Sequence, residues 1–236
     1  MLVFMNTLPR VVMLLLTGLL LAVSVTAQEQ SVRPGINRNF VNPDWRQWVN
    51  TFERPGRELY DRRHEIIEAS RVRPGMDIAD IGAGTGLHTR LFAGKVAPGG
   101  AVYAIDISRT FIDNILRTCR EQGITNVKGI VNTPTDIGLP AAAIDLAFIA
   151  ATYHHFEYPR QTLASLHRAL RDDGRVIIID FRRDPRISTP WVMGHVRGNK
   201  GQTIEEMQTA GFRLVDDKPM LRVNYFLEFA KQERAP

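Results

Sequence analysis

A short glycine-rich loop is the segment of this 236-residue sequence that most directly suggests chemistry. Gly82, Gly84 and Gly86 occupy every second position after an apolar run, with Ala83 and Thr85 between them. Glycine lets the backbone turn tightly and lets a ligand approach closely where a strand passes into a helix. The spacing G-x-G-x-G differs from the G-x-G-x-x-G fingerprint of dinucleotide-binding loops. The loop predicts a ligand-binding turn of another kind, and a ligand-free tight turn is the alternative.

Two aspartates accompany the loop. Asp80 lies just before it, and Asp106, followed by Ile107, ends the next apolar run. A carboxylate beside the loop would oppose a pyrophosphate, whereas it suits a cationic ligand such as a sulfonium that carries an ammonium group. A carboxylate at the end of the second strand can accept hydrogen bonds from both hydroxyls of a ribose. The alternatives are a structural hydrogen bond to loop amides for Asp80 and a solvated strand end for Asp106.

A third group of polar side chains follows the apolar run Ile144–Ala150. Tyr153, His154 and His155 come directly after it, and loops at the carboxyl ends of strands carry function in open α/β sheets. Imidazole titrates near neutral pH and can orient an acceptor or take its proton. We therefore predict these residues as the catalytic candidates. In the alternative, one histidine packs beneath Phe156 and bonds to the backbone.

The elements that must position these residues alternate along the chain from residue 76. The pattern predicts strands and helices that form a doubly wound, seven-stranded, mostly parallel α/β sheet with helices on both faces. The last two strands are separated only by a turn near Pro219, so we expect an antiparallel hairpin. The predicted strands are Met76–Ile81, Ala101–Asp106, Val127–Asn132, Ile144–Ala150, Arg175–Phe181, Phe212–Val215 and Val223–Phe229, and the helices are Leu87–Val96, Phe111–Gln122, Arg160–Leu170 and Thr203–Ala210.

The stretch between Phe181 and Gln202 shows no clear periodicity. It contains Trp191, His195 and Arg197, and a long irregular insertion in a compact domain is often a lid or binding loop. We expect His195 and Arg197 to reach an anionic or quinoid acceptor; a solvated loop is the alternative.

The first residues differ from the rest. Arg10 precedes an apolar run from Val11 to Val25, which ends in small residues, as in a secretory signal peptide. We predict residues 1–27 as a signal peptide or membrane anchor, 28–71 as a lead-in with an N-terminal helical extension, and 72–236 as the catalytic domain. The expected location is periplasmic or secreted. An anchor that associates with the membrane through residues 11–27 and keeps the domain in the cytosol is the alternative.

The amino-acid composition excludes some classes of partner and of structural site. The net charge of +5 is modest, and no basic stripe interleaved with aromatic residues indicates nucleic acid. A single cysteine, Cys119, excludes an internal disulfide and a cysteine-rich zinc site. The sequence does not indicate an oligomeric state.

From Arg57 to Phe229 the sequence resembles the class I, Rossmann-like S-adenosylmethionine-dependent methyltransferases. Residues 80–86 resemble their first motif, Asp106 their acidic second motif, and residues 132–140 stand at their adenine-side loop. The resemblance implies S-adenosyl-L-methionine as the cofactor and adds Thr133 and Asp136 as adenine-side contacts. Many members carry Gly-Asp-Ala where this chain has Thr135-Asp136.

The acceptor half resembles a group of small bacterial methyltransferases with Tyr-His-His-Phe after the fourth strand and, more distantly, the C-methyltransferases of quinone biosynthesis. This implies methyl transfer to a small or lipid-like acceptor, although relatives often show Cys-Asp in place of Ala150-Ala151. A protein carboxyl methyltransferase and a non-catalytic S-adenosylmethionine-binding protein are the alternatives. A metal site of His154, His155, Asp180 and His195 is a further alternative, but the set lacks a recognisable spacing, so no metal is predicted.

Overall fold

The computed structural model describes residues 29–232. The predicted signal or anchor segment, residues 1–27, lies outside the described residues. Within the described part of the chain, no helix combines the length and apolar character that crossing a bilayer requires.

A seven-stranded sheet in the order β3-β2-β1-β4-β5-β7-β6 forms the centre of the structure. The first five strands pair in parallel, whereas β7 runs antiparallel to both β5 and β6. The predicted class of fold and the final hairpin are thus confirmed. The strands are β1 (Ile78–Ile81), β2 (Val102–Asp106), β3 (Val127–Val131), β4 (Ile144–Ala150), β5 (Leu170–Phe181), β6 (Phe212–Lys218) and β7 (Asn224–Lys231).

Eight α-helices surround the sheet in the described residues. Each contributes apolar side chains to the sheet or borders the site. Their bounds are α1 (Trp45–Phe52), α2 (Glu58–Asp61), α3 (Arg63–Ala69), α4 (Leu87–Val96), α5 (Arg109–Glu121), α6 (Pro159–Ala169), α7 (Pro190–His195) and α8 (Lys200–Thr209).

Alternation along the central strands divides the core between the two faces of the sheet. In β4, Ala147 and Ile149 pack into one apolar cluster, whereas Leu146 and Phe148 pack into the other. Side chains of successive strand residues point to opposite faces, so a strand covered on both sides must be apolar throughout. This explains why β4 is apolar from Leu146 to Ala150, after the half-buried Asp145 near its start.

Strand register brings the chemistry-bearing loops to one edge. Ile81, near the end of β1, pairs with Ile105 of β2 and Ile149 of β4. The residues that follow these three strands therefore emerge side by side at the carboxyl edge of the sheet, where open α/β sheets bind ligands.

The predicted irregular stretch after β5 is partly helical. Thr189 caps α7 by accepting the amide of Val192, and Pro190 occupies the first turn, where its missing amide costs nothing. Asn199 caps α8 in the same way, so that helix begins earlier than its apolar periodicity predicts. Capping residues, and not apolar spacing, set these boundaries.

Candidate functional site

A cavity of about 590 Å³ lies at the carboxyl edge of β1, β2 and β4. It has a glycine-loop end, a histidine end and a wall contributed by the N-terminal segment. The lining includes the predicted residues Asp80, Gly82, Ala83, Gly84, Thr85, Asp106, Ile107, Thr133, His154, His155 and His195. The structure thus brings together residues more than 100 positions apart.

The glycine loop owes its shape to backbone that only glycine adopts readily. Gly82, Gly84 and Gly86 have φ of +72°, +54° and +80°. Space is also restricted, because a Cβ on Gly82 would lie 2.1 Å from Thr152 Cγ2 and one on Gly86 would lie 2.7 Å from Ile115 Cγ1. Gly86 shapes the start of α4 and is not itself in the cavity lining.

Asp106 holds the loop in place. Its Oδ2 accepts the Gly84 amide at 2.9 Å, and its Oδ1 accepts the Ser108 amide at 2.9 Å. Each carboxylate oxygen has a further lone pair, so the side chain can still accept hydrogen bonds from a ligand. Burial raises the pKa of Asp106 to about 6, against the lowering effect of these two amides.

Asp80 is the second buried carboxylate at this end. Thr89 Oγ1 donates to its Oδ2 at 2.6 Å, and its side chain does not accept the loop amides as the structural alternative supposed. Burial, opposed by the Thr89 hydrogen bond and reinforced by the Asp106 carboxylate, raises the pKa of Asp80 to about 6. Within residues 29–232 neither aspartate forms an ion pair, and the charge of Arg90 lowers the pKa of Asp80 only as a smaller contribution, so the two carboxylates suit a cationic ligand.

Of the two residues predicted on the adenine side, the structure places Thr133 in the cavity lining and Asp136 outside it. Asn132, Thr133 and Pro134 line the cavity. Asp136 lies outside the lining, where its carboxylate accepts from Arg168 at 2.8 Å and from the Gly138 amide at 2.7 Å. The turn that follows β3 therefore offers Thr133 to a ligand but directs Asp136 toward α6.

The N-terminal segment supplies a wall that sequence reasoning treated as a lead-in. Phe40, Trp48 and Phe52 form a row of rings whose centroids lie 4.7 and 4.9 Å apart. Phe52 faces the position that a Cβ of Gly84 would take, at 3.5 Å. The signal that could have revealed this wall is the i, i+4 spacing of Trp48 and Phe52 in a helix with few other apolar residues.

Two basic groups at the cavity were also missed as site residues. Burial lowers the pKa of Arg57 to about 10, and its Nη1 donates to the Phe52 carbonyl at 3.0 Å. Burial, followed by the charges of Arg57 and Arg90, lowers the pKa of His88 to about 3. No sequence pattern marks His88, which is an interior residue of the first turn of α4.

At the other end of the cavity, the two histidines after β4 meet His195 from the end of α7. The ligand nitrogens of His154, His155 and His195 all lie within 4.8 Å of one another. Nδ1 of His154 lies 2.8 Å and 3.0 Å from the two carboxylate oxygens of Asp180, and both residues are buried. Nδ1 of His155 lies 3.1 Å from Asn37 Oδ1. The stretch that contains His195 therefore contributes to the cavity wall, and its role in binding an acceptor stays a prediction.

These rings are held in the neutral form. Burial, followed by the neighbouring His154 and His195, lowers the pKa of His155 to about 2. Burial also lowers the pKa of His195. At neutral pH both rings therefore carry an unprotonated nitrogen that can accept a proton or bind an electrophile.

Tyr153 is the predicted catalytic residue that the structure places away from the large cavity. Its hydroxyl donates to Glu206 at 2.7 Å, beside the Arg197–Glu206 ion pair. The short 3-10 turn Tyr153–His155 directs successive side chains to different sides, so Tyr153 enters the core while the histidines face the cavity. Arg197 is likewise engaged by Glu206 and does not line the cavity.

The fold is the Rossmann-like fold of solved methyltransferase structures. Residues 79–178 match the methyltransferase domain family. The structure is similar to that of an S-adenosylmethionine-dependent methyltransferase from Aquifex aeolicus, with a TM-score of 0.70, 23% identity, and 78% of this chain and 96% of that chain covered. A TehB-like methyltransferase from Corynebacterium glutamicum has a TM-score of 0.59 and 21% identity, with 85% and 100% covered.

The chain is related to the ubiquinone/menaquinone biosynthesis C-methyltransferase UbiE. It is 32% identical to the UbiE of Ectopseudomonas mendocina over 122 residues, which cover 50% of this chain and 46% of the relative. It is 29% identical to the nocamycin O-methyltransferase of Saccharothrix syringae over 132 residues, covering 56% and 47%. The chain thus spans about half the length of the curated relatives it matches. Residues 79–178, the part of the chain that matches the methyltransferase domain family, include the glycine loop and Asp106.

Proposed function

We propose that this protein transfers a methyl group from S-adenosylmethionine to a small or lipid-like acceptor. The observation that carries the proposal is the single cavity with two chemically different ends. One end has two buried carboxylates beside a glycine loop, and the other has three imidazoles. A cationic cofactor and an acceptor can therefore lie in one enclosed space, which is what an in-line displacement requires.

The cofactor supplies an activated methyl group on a positively charged sulfur. Asp106 would hold the ribose hydroxyls, and Asp80 would balance positive charge beside the loop, because both carboxylates are buried without a cationic side chain paired to them. Arg57, which lies in the same lining with its charge partly desolvated, would hold the amino-acid carboxylate of the cofactor. Thr133 and Ile107 would border the base.

The histidine end of the cavity favours a methyl acceptor that consists of an apolar ring with an oxygen substituent. Phe181 and Trp191 supply aromatic surface there, and Trp191 stacks on His195 with 4.4 Å between ring centroids. The neutral histidines provide acceptors for a hydroxyl proton. Two relatives are named for C-methylation in ubiquinone and menaquinone biosynthesis and for O-methylation of nocamycin. We therefore propose a hydroxylated aromatic or quinol acceptor.

The direct test is transfer of radiolabelled methyl from S-adenosylmethionine. The purified chain is incubated with the labelled cofactor and with three acceptor pools: a bacterial lipid extract, a set of demethylated quinols and catechols, and a protein extract. We expect label in the lipid or quinol pools, and loss of that label in Asp106→Ala. Asp136→Ala is the matched control, because this aspartate lies outside the cavity.

The other outcomes are informative. Label in the protein pool alone would replace the proposal with protein carboxyl methylation. Tight binding of S-adenosylhomocysteine without transfer to any pool would indicate a non-catalytic binding protein. Failure to bind the nucleoside at all would remove the basis of the proposal.

We also propose that residues 1–27 direct the chain to export, on the basis of Arg10, the apolar run and the small residues that follow. Mass spectrometry of the purified native protein tests this. We expect a mature N-terminus near Gln28, whereas an intact Met1 in the membrane fraction would establish the anchored alternative.

A further inference from the structure

The histidine end of the cavity has a geometry that proton transfer alone does not explain. Nε2 of His155 lies 3.4 Å from Nε2 of His195, and the three rings are within 5.2 Å of one another between centroids. Nε2 of His154 is buried and has no hydrogen-bond partner within the described part of the chain. A buried polar nitrogen left without a partner costs about 1–3 kcal/mol, so such groups call for a physical explanation.

The hydrogen bonds on the far side of the rings fix which nitrogens are free. Asp180 is a hydrogen-bond acceptor at His154 Nδ1, so this Nδ1 carries the proton and Nε2 carries a lone pair. The side-chain oxygen of Asn37 is likewise the acceptor at His155 Nδ1. The amide nitrogen of Asn37 donates to the His155 carbonyl at 3.0 Å and to Glu157 at 3.3 Å, and this orients its oxygen toward Nδ1. Two lone pairs are therefore oriented by partners remote in sequence.

This arrangement is the one found around metal-binding histidines. A ligand histidine usually donates its second ring N–H to a carboxylate or carbonyl group, which fixes its tautomer and orientation. Here Asp180 and Asn37 occupy those outer positions. Three imidazole ligands with a further position left open are typical of catalytic zinc sites.

We propose that His154, His155 and His195 bind one divalent transition-metal ion of the zinc class through their Nε2 atoms, with a coordination position open toward the cavity. Ligand softness supports this class, because imidazole suits zinc, copper and nickel better than magnesium or calcium. The ion would satisfy the unpartnered Nε2 of His154 and would bind the Nε2 atoms of His155 and His195, which lie 3.4 Å apart.

A role for this ion in methyl transfer rests on the proposed function. If the acceptor hydroxyl occupied the open coordination position, the charge of the ion would lower the pKa of that hydroxyl. With the three Nε2 atoms bound to the ion, the acceptor hydroxyl would lose its proton to solvent instead of to a histidine, and its oxygen would form the new bond to the methyl carbon. The carbon–sulfur bond breaks with both electrons left on sulfur, which gives S-adenosylhomocysteine. The binding of the metal itself does not depend on that step.

Metal binding is tested on the purified chain after removal of metals with dipicolinate. Zinc is titrated in competition with a chromophoric chelator, and cobalt(II) is the spectroscopic probe. We expect one equivalent of zinc and the intense visible absorption of four-coordinate cobalt. In His195→Ala, which alters a half-buried residue at the end of a helix, we expect zinc affinity to fall at least 100-fold. The matched control His64→Ala changes an exposed histidine on α3 and should leave the affinity unchanged.

The outer residues give a second readout. In Asp180→Asn we expect zinc affinity to fall roughly 10- to 100-fold, the range for loss of an outer partner of a metal ligand. Circular dichroism on each variant separates loss of the ligand from loss of the fold. Equal zinc affinity in the unaltered chain and His195→Ala would overturn the proposal and leave a His195–His155 hydrogen bond as the explanation. A weak cobalt spectrum typical of six-coordinate ions would also overturn it.

Titration with S-adenosylhomocysteine keeps the two proposals separate. The metal-free chain and His195→Ala should bind it as tightly as the zinc-loaded chain. A zinc site in a chain that does not bind the nucleoside would support the metal proposal and contradict the proposed function. Nucleoside binding without zinc binding would do the reverse.

Discussion

Asp180 accepts two hydrogen bonds from His154, one from its backbone amide at 2.9 Å and one from ring Nδ1 at 2.8 Å. Asp180 lies near the end of β5, and His154 follows β4, so the pair joins neighbouring strands at the edge where the cavity opens. His154 is 3% exposed and Asp180 is 1% exposed. The carboxylate thereby fixes both the backbone turn and the orientation of the ring.

The first prediction concerns this pair. Asp180→Asn keeps the shape of the side chain but replaces one acceptor oxygen with a donor that faces an N–H group. We expect the free energy of unfolding to fall by about 1–3 kcal/mol, the cost of a buried group without its partner. Urea unfolding of the metal-free chain measures this. Asp173→Asn, an exposed residue, is the control and should change stability by less than about 0.5 kcal/mol; equal effects would show that the Asp180 contacts contribute little.

The second prediction concerns cofactor affinity. Asp106→Ala removes the acceptor proposed for the ribose and the partner of the Gly84 amide. We expect binding of S-adenosylmethionine to weaken by about 1–3 kcal/mol, or roughly 5- to 150-fold. Isothermal titration measures this, with Asp136→Ala as the control, an aspartate that is half-buried and lies outside the cavity. Unchanged affinity in Asp106→Ala would remove this residue from the site.

The third prediction is a pH dependence. The pKa values of Asp80 and Asp106 are both raised to about 6 by burial, from a usual value of 3.8. Their raised pKa values add stability that is fully present below pH 3.8 and is lost as the pH rises through about 6. A cationic ligand prefers the ionised carboxylates, so its binding should strengthen over the same range.

We therefore expect affinity for S-adenosylmethionine to increase roughly tenfold between about pH 5 and pH 7.5 and then to level off. Titrations across this range measure the change. Adenosine, which lacks both positive groups, is the control and should show a much smaller dependence. A flat profile for the cationic ligand would contradict the charge balance assigned to these aspartates.

The fourth prediction separates backbone strain from steric contact in the glycine loop. Gly82 and Gly35 both have positive φ, of +72° and +76°, but a Cβ would meet Thr152 only at Gly82. For Gly35→Ala we expect the free energy of unfolding to fall by about 1–2 kcal/mol, because alanine is strained in the left-handed backbone conformation. For Gly82→Ala we expect the free energy of unfolding to fall by roughly 2–5 kcal/mol, because steric contact with Thr152 adds to that backbone strain. Thermal unfolding of the two variants compares them, and similar losses would show that Thr152 moves aside without cost.

Much of the fold follows from local patterns. The bounds of α4 and β4 match their predictions. Gly86 marks the start of α4 in the sequence, and a largely apolar run marks β4. The seven-stranded sheet and the final hairpin also follow, since the short connection near Pro219 permits only an antiparallel return. By contrast, α7 was missed because it depends on a cap at Thr189 and not on apolar spacing.

The sequence by itself determined the glycine loop, the acids that end β1 and β2, and the histidines after β4, because each is a local pattern at a strand end. Only the tertiary structure decided that His195 meets His155, 40 residues away, and that Asn37 reaches the same ring across 118 residues. It also turned Tyr153 into the core and placed Phe52 over the loop. Such contacts arise from how separate elements pack, which spacing along a chain does not encode.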